Sequence, residues 1–364
     1  MPLKLALDFG GSATKIIGGF TENKRISYTM LPEIIKIPKE SLLSKNIGGV
    51  RGVRKNRAWI GLNGEYFAVG YLAKNYLVTP QLKPLKSNLA IPKILSACWV
   101  IQEKFKSLSN EFDLALACFL PPGEYEDRAE FEKELRSALS EFETPDGIFK
   151  VSLTHFDCKP ESFGIFMEHW RKRSKKTEDS LCANLMFGYR NASAVLIQKG
   201  NFGKWQTTDL GFIKMVESVQ QTTSGYTIEK LTEAIARWDG KNDNCLLSLL
   251  RQDKPEKREI ELETLKSQIE IAKQEYMARI RHWLNEIIPN EVEEIVISGG
   301  TADYFEKELE DWARTLIPVI LFWHSEVTYP EDILQLGMGN RMADVWILWK
   351  YFCQQVKKMK VGSR

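Results

Sequence analysis

Apolar and polar positions alternate from Leu3 to Asp8, stop at Gly10-Gly11-Ser12, and resume with β-branched residues from Ala13 to Phe20. A period of two on both sides of a glycine turn predicts a β-hairpin. Irregular, basic sequence follows to about residue 58, and Ala58 to Val69 reads as another hairpin turning at Asn63-Gly64. The period then changes. Ile94, Leu95, Cys98, Trp99, Ile101 and Phe105 recur at helical spacing, which predicts a buried helix over Ile91 to Phe105. The almost wholly apolar run Phe112 to Leu120, stopped by Pro121-Pro122-Gly123, suits a strand buried on both faces.

Further along, the pattern predicts a charged helix over Arg128 to Leu139 and a strand near Phe149 to Phe156. A helix from Glu161 to about Lys172 follows Pro160, and Leu181 to Ile197 forms a hairpin around Gly188-Tyr189-Arg190-Asn191. Helices fill Thr227 to Ala236 and Pro255 to Ile288. A strand over Val292 to Ile297 passes through Ser298-Gly299-Gly300-Thr301 into a helix over Ala302 to Leu316. Val319 to Phe322 is a last strand, and Pro330 to Tyr351 carries the closing helices. Strands and helices interleave, so the fold class is α/β. Hairpins of similar design near residues 10 and 188 point to a duplicated, two-lobed architecture with a site between the lobes.

Composition narrows the class. At 364 residues the chain is long enough for two ordinary domains or one large α/β domain, and 43% hydrophobic with 27% charged residues is a globular balance. Its longest apolar run, Leu316 to Trp323 broken by Pro318, is far below the roughly 18 residues a membrane span needs. Met1-Pro2-Leu3-Lys4 leads straight into the first strand without a signal-peptide pattern, so the expected location is cytoplasmic. A net charge of +2 gives no reason to expect direct nucleic-acid binding. The six cysteines and four histidines show no metal-ligand spacing, so a metal held by protein ligands is not expected, while a metal carried in on a nucleotide stays open. Two basic stretches, Arg51–Arg57 and Arg171–Lys176, are either solvated faces or partner contacts.

Three short segments carry candidate chemistry. Asp8-Phe9-Gly10-Gly11-Ser12-Ala13-Thr14-Lys15 ends a strand with glycines that allow successive amides to converge on an anion. Ser12 and Thr14 add hydroxyls, Lys15 adds a cation, and Asp8 suits a hydrated Mg²⁺. The alternative is a turn that needs glycine for geometry alone; the spacing excludes a Walker A loop. Ser298-Gly299-Gly300-Thr301 is a strand-to-helix step of the kind that meets anions or flat rings, and also of the kind that binds nothing. Glu161, after Pro160, either stabilises a helix N-terminus or positions an attacking water.

In order along the chain, these segments resemble the ParM (StbA) branch of the actin/Hsp70/sugar-kinase superfamily. Asp8 to Lys15 is similar to its first phosphate loop, and Leu120-Pro121-Pro122-Gly123-Glu124-Tyr125-Glu126-Asp127-Arg128 to its strand ending in Leu-Pro. Lys159-Pro160-Glu161-Ser162 resembles the segment carrying the water-positioning glutamate. Gly188 sits where the second phosphate loop belongs, Thr223-Ser224-Gly225 resembles a helix start beside the nucleotide, and Ser298-Gly299-Gly300-Thr301-Ala302 resembles the adenosine motif.

The resemblance implies two RNase H-like lobes, about residues 1–165 with 325–364 and 166–324, with ATP or ADP and Mg²⁺ in the cleft between them. It implies Gly10, Gly11, Ser12, Thr14 and Lys15 on the phosphates, Asp8 on Mg²⁺ through water, and Glu161 orienting the attacking water. Gly188, Arg190 and Asn191 would close over the phosphates, with Ser224, Gly225, Gly299, Gly300 and Thr301 beside the nucleoside. Self-association into filaments, their turnover by ATP hydrolysis (slow here, given the departure described next) and plasmid segregation through a DNA-bound adaptor follow from the same resemblance. One departure stands out: Met186 occupies the place of the second loop's aspartate, and a thioether neither holds hydrated Mg²⁺ nor accepts a proton from water. A nucleotide-binding regulator that does not hydrolyse is therefore a second reading. A small-molecule kinase is a third, for which no substrate-facing acid is evident.

Overall fold

The apolar run ending at Leu120 lies in the middle of a nine-stranded sheet. A computed structural model of the chain describes every residue except 45–51, 78–83, 106–107, 174–179, 224, 317 and 363–364. It divides into two units, Met1–Arg171 with Glu326–Arg364, and Lys172–Ser325. No helix among the described residues is long and apolar enough to cross a membrane.

Strands of the first unit are β1 (Leu3–Phe9), β2 (Thr14–Gly19), β3 (Arg25–Met30), β4 (Ile34–Lys36), β5 (Trp59–Leu62), β6 (Glu65–Val69), β7 (Glu111–Leu120), β8 (Phe142–Thr144) and β9 (Gly147–Pro160). Their order is β3-β2-β1-β7-β9-β8-β5-β6-β4. β1 and β7, and β7 and β9, run parallel, while β2 and β3 fold back antiparallel. Alternation sorts the central side chains by size. Leu5 and Leu7, opposite Leu116 and Cys118, pack with Ile94, Cys98, Trp99 and Ile101 of the helix Lys86–Gln102. Ala6, Ala115 and Ala117 point the other way, and their small side chains admit Trp346, Trp349 and Phe352 of the C-terminal helix Ala343–Gly362. Covering both faces requires strands apolar throughout, as Leu114 to Leu120 is.

The structure departs from the sequence expectations where distant groups intervene. The helix Lys86–Gln102 begins before Ile91 and carries Pro92 inside it. Its first-turn amides, from Lys86 and Ser87, donate to the Glu124 carboxylate at 3.0 and 2.8 Å, a cap that no local pattern reveals. β3 falls in sequence that reads as irregular, because its half-buried residues are ordered by pairing with β2. β9 runs on to Pro160, and the Glu161 amide still donates to the Leu120 carbonyl at 2.9 Å. Glu161 is thus outside the helix, which starts at Phe163.

The second unit is built on β10 (Leu181–Phe187), β11 (Ala192–Gln198), β12 (Asn201–Phe202), β13 (Gln206–Thr208), β14 (Glu294–Ser298) and β15 (Ile320–Trp323). The sheet order is β12-β11-β10-β14-β15, with β13 on β11. β10, β14 and β15 are parallel and β11 returns antiparallel, the same arrangement as β2-β1-β7-β9 in the first unit. Its core joins these strands to the helices Phe212–Thr222, Ile228–Arg237 and Pro255–Ile287. The expected helix over Ala302 to Leu316 is broken at Phe305 into Gly300–Tyr304 and Glu306–Ala313, because the buried Phe305 ring stacks on Tyr276 at 4.8 Å.

Several arginines of the two basic stretches pair within their own unit, although Arg171 stays exposed. Arg54 contacts Asp146, the Trp99 carbonyl and Gln102, each at 2.7 Å, and Arg57 lies 3.8 Å from Asp146. Arg171 pairs with Glu168 and Arg173 with Glu294, both at 2.8 Å. Arg51 and residues 174–176 lie outside the described residues.

Candidate functional site

In the first unit, charged groups collect at the carboxyl ends of the parallel strands, where ligands of open α/β sheets bind. Asp8 is the penultimate residue of β1 and pairs across the hairpin with Lys15 of β2. That register brings the ammonium onto the carboxylate in a buried ion pair. Between them the loop is tight: a Cβ on Gly10 would stand 2.8 Å from the Ala13 carbonyl oxygen, so glycine is needed there for the turn itself. Thr14 follows, and its buried hydroxyl has no hydrogen-bond partner among the described residues.

Glu161 leaves the end of β9 with only 3% of its surface exposed, and its carboxylate is gripped by Lys86. Glu124 anchors the backbone of Lys86, so the carboxylate of one segment positions the cation held against another. The next residue, Ser162, has φ of +65°, an uncommon backbone state for a residue with a side chain. Asp344 stabilises it by accepting from the Ser162 amide at 2.7 Å and the Ile165 amide at 3.2 Å. Burial first, then repulsion from Asp8, pushes the Asp344 carboxyl up to about 7, against the pull of the two amides and Lys15. Arg341, three residues earlier, donates to Ser12 Oγ at 2.6 Å. The structure therefore brings Asp8, Ser12 and Lys15 together with Arg341, and adds Lys86, Glu124 and Asp344 around Glu161.

Lys86, Glu124, Arg341 and Asp344 were not legible as site residues. Asp344 carried one signal, a lone acid opening the apolar stretch Val345 to Trp349, since acids are buried only where they serve a partner.

In the second unit, the Gly188 amide donates to the Asn191 carbonyl at 2.9 Å and closes the turn from β10 to β11. The Gly188 carbonyl accepts from Thr301 Oγ1 at 2.9 Å and from the Phe212 amide at 3.1 Å. Gly299, with φ of +99° and ψ of 152°, packs so closely on Phe187 that a Cβ would overlap its carbonyl. Gly188, Gly299 and Thr301 thus meet at the carboxyl ends of β10 and β14, and Gly300 opens the short helix after them. The Arg190 backbone lies against Gly211, where a side chain would overlap it. Gly225, with φ of +82°, makes room for Arg251, whose guanidinium stacks on Tyr226 at 5.1 Å. Ser224 lies outside the described residues. Met186 is half-buried in β10, paired in register with Ser193 and Ser298.

No protein-family model and no curated protein sequence matches the chain. Solved structures match along its whole length. It is similar to the actin-like protein Alp7A, with a TM-score of 0.71 at 16% identity over 100% of this chain and 99% of that one. It is similar to the ParM of a 15-stranded filament from Clostridium botulinum, with a TM-score of 0.63 at 12% identity over 97% and 99%. A third match is the archaeal actin homologue Ta0583 in complex with ADP, at 0.58 and 14% over 98% and 100%. The class is thus an α/β protein of two sheet-centred units. More particularly, the chain has the actin-like ATPase fold, as found in ParM-type and Alp-type proteins.

Proposed function

We propose that this protein binds ATP with Mg²⁺, assembles into filaments and turns them over by slow hydrolysis. The observation that carries the reading is the pair of buried charged contacts at the ends of β1 and β9, the two strands that flank β7: Asp8 with Lys15 and Glu161 with Lys86. Buried ion pairs are poor stabilisers by comparison with apolar packing, so their retention beside a glycine loop favours a chemical role. The residues fit a polyphosphate: Thr14 has an unused buried hydroxyl, and two cations, Lys15 and Arg341, flank one carboxylate, Asp8. Gly10, Gly11, Ser12, Thr14 and Lys15 would hold the phosphates. Asp8 would hold Mg²⁺ through water, and the ion would neutralise phosphate charge. Glu161 would orient the attacking water, with Lys86 and the Asp344-held turn fixing its carboxylate. Gly188, Arg190 and Asn191 would meet the phosphates from the second unit, with Gly225, Gly299, Gly300 and Thr301 on the nucleoside side. The ADP complex of Ta0583 and the filament structures of ParM and Alp12 support nucleotide binding and self-association here. A DNA-bound adaptor and plasmid segregation in the cytoplasm complete the proposal.

Light scattering and sedimentation with ATP·Mg²⁺ test it. Scattering should rise at tens of micromolar protein, and Glu161→Gln should keep ATP affinity while cutting phosphate release about 100-fold. No rise under several salts, with nothing pelleting, would sink the filament. Met186 favours a second reading, a nucleotide-binding regulator without turnover; ATP affinity with no phosphate release would select it.

A further inference from the structure

We propose that Arg341, in the turn before the C-terminal helix, is a phosphate ligand that completes the first glycine loop. This rests on the nucleotide reading above and adds a residue that the loop pattern does not contain. Arg341 is half-buried, and among the described residues no carboxylate forms an ion pair with it; its guanidinium donates instead to the neutral Ser12 hydroxyl at 2.6 Å. The carboxylate that acts on it electrostatically is Asp8, which is already bonded to Lys15. Asp344 is the other acid within reach of Lys15, and burial opposes its ionisation, so Asp8 is left to balance two cations. Burial lowers the Arg341 pKa, which is the mark of a cation removed from water without full compensation. A phosphate supplies what is missing, because it takes the guanidinium fork through two oxygens at once.

Hydrogen-bond direction leads to the same place. Ser12 Oγ accepts from Arg341, so its own proton stays available to donate to an anion. The arginine is also held in place. Its neighbour Asn340 accepts from the Tyr329 hydroxyl at 3.1 Å, and Met342 and Ala343 on its other side are fully buried. Three residues on, Asp344 holds the Ser162 amide beside Glu161. One short segment therefore touches both the glycine loop and the turn that carries Glu161, although Arg341 and Ser12 are 329 positions apart in the chain.

The test compares wild type with Arg341→Met, which keeps length without charge, and Arg341→Lys, which keeps charge without the fork. Affinities for ATP, ADP and adenosine are measured by calorimetry, and nucleotide-free melting by circular dichroism. Expected for Arg341→Met is a loss of about 10- to 100-fold for ATP, with adenosine within about twofold of wild type. Arg341→Lys should recover part of the ATP loss. Without nucleotide, Arg341→Met should melt no lower than wild type, since an uncompensated cation has been removed. Unchanged ATP affinity, or an equal loss for ATP and adenosine, would overturn the proposal and leave the nucleotide reading standing. Should Arg341→Met not fold, Arg341→Lys decides on the same terms, with the ATP-to-adenosine ratio as the readout. If wild type binds neither ATP nor ADP, the nucleotide reading fails and this inference fails with it.

Discussion

Lys93 shows what a single buried charge does in this fold. It lies in the helix Lys86–Gln102 with 6% of its surface exposed, and burial, aided by Lys86, lowers its ammonium to about 8 while Glu33 opposes the shift. A base whose folded pKa lies below its unfolded value binds its proton less tightly when folded. The resulting penalty is full below about pH 8 and vanishes as pH rises towards 10.5. Lys93→Met should therefore stabilise the protein at pH 7 by roughly 1–3 kcal/mol, with the gain closing near pH 10. Urea unfolding at both values checks this; a variant less stable at pH 7 would mean the ammonium is well compensated. At this scale the sequence was partly legible. Asp8 to Lys15 could be marked because glycine, acid and lysine are adjacent in the chain. Glu161 could be marked from its place after Pro160, but its partner Lys86 could not, because 75 positions separate the two and only the folded chain joins them.

Elements were more legible, because hairpins and helices follow from local periodicity. Asn63-Gly64 turns its hairpin with positive φ at both residues, as its sequence demands. The errors came from non-local partners: Glu124 moved a helix start forward, and Phe305 split a helix by entering the core. The strand-to-helix step at Gly299 gives a prediction that needs no ligand. Its φ and ψ fall in a region that is essentially glycine-only, and a methyl there would strike Phe187. Gly299→Ala should destabilise the protein by at least about 2 kcal/mol. Thermal melting reads this directly, and an unchanged midpoint would show that the step can relax.

For the whole molecule, the question is how nucleotide turnover would set filament lifetime. Met186 sits two residues before Gly188, at the end of β10, where the resemblance places an aspartate. Met186→Asp should raise phosphate release about tenfold or more, since it adds a carboxylate able to accept a proton or hold a hydrated ion. Filaments grown with ATP should then disassemble sooner, as followed by the decay of scattering after ATP is exhausted. A folded variant with unchanged rate would place the limit on turnover elsewhere.

The chain's own order of residues determined the strands, the glycine turns and the α/β class, because each depends on neighbours within a few positions. Tertiary structure alone decided that Arg341 meets Ser12, that Asp344 holds the turn after Glu161, and that Glu124 caps a distant helix. Those contacts exist because apolar packing brings remote segments to the same strand ends, and no local pattern encodes which polar groups will arrive there together.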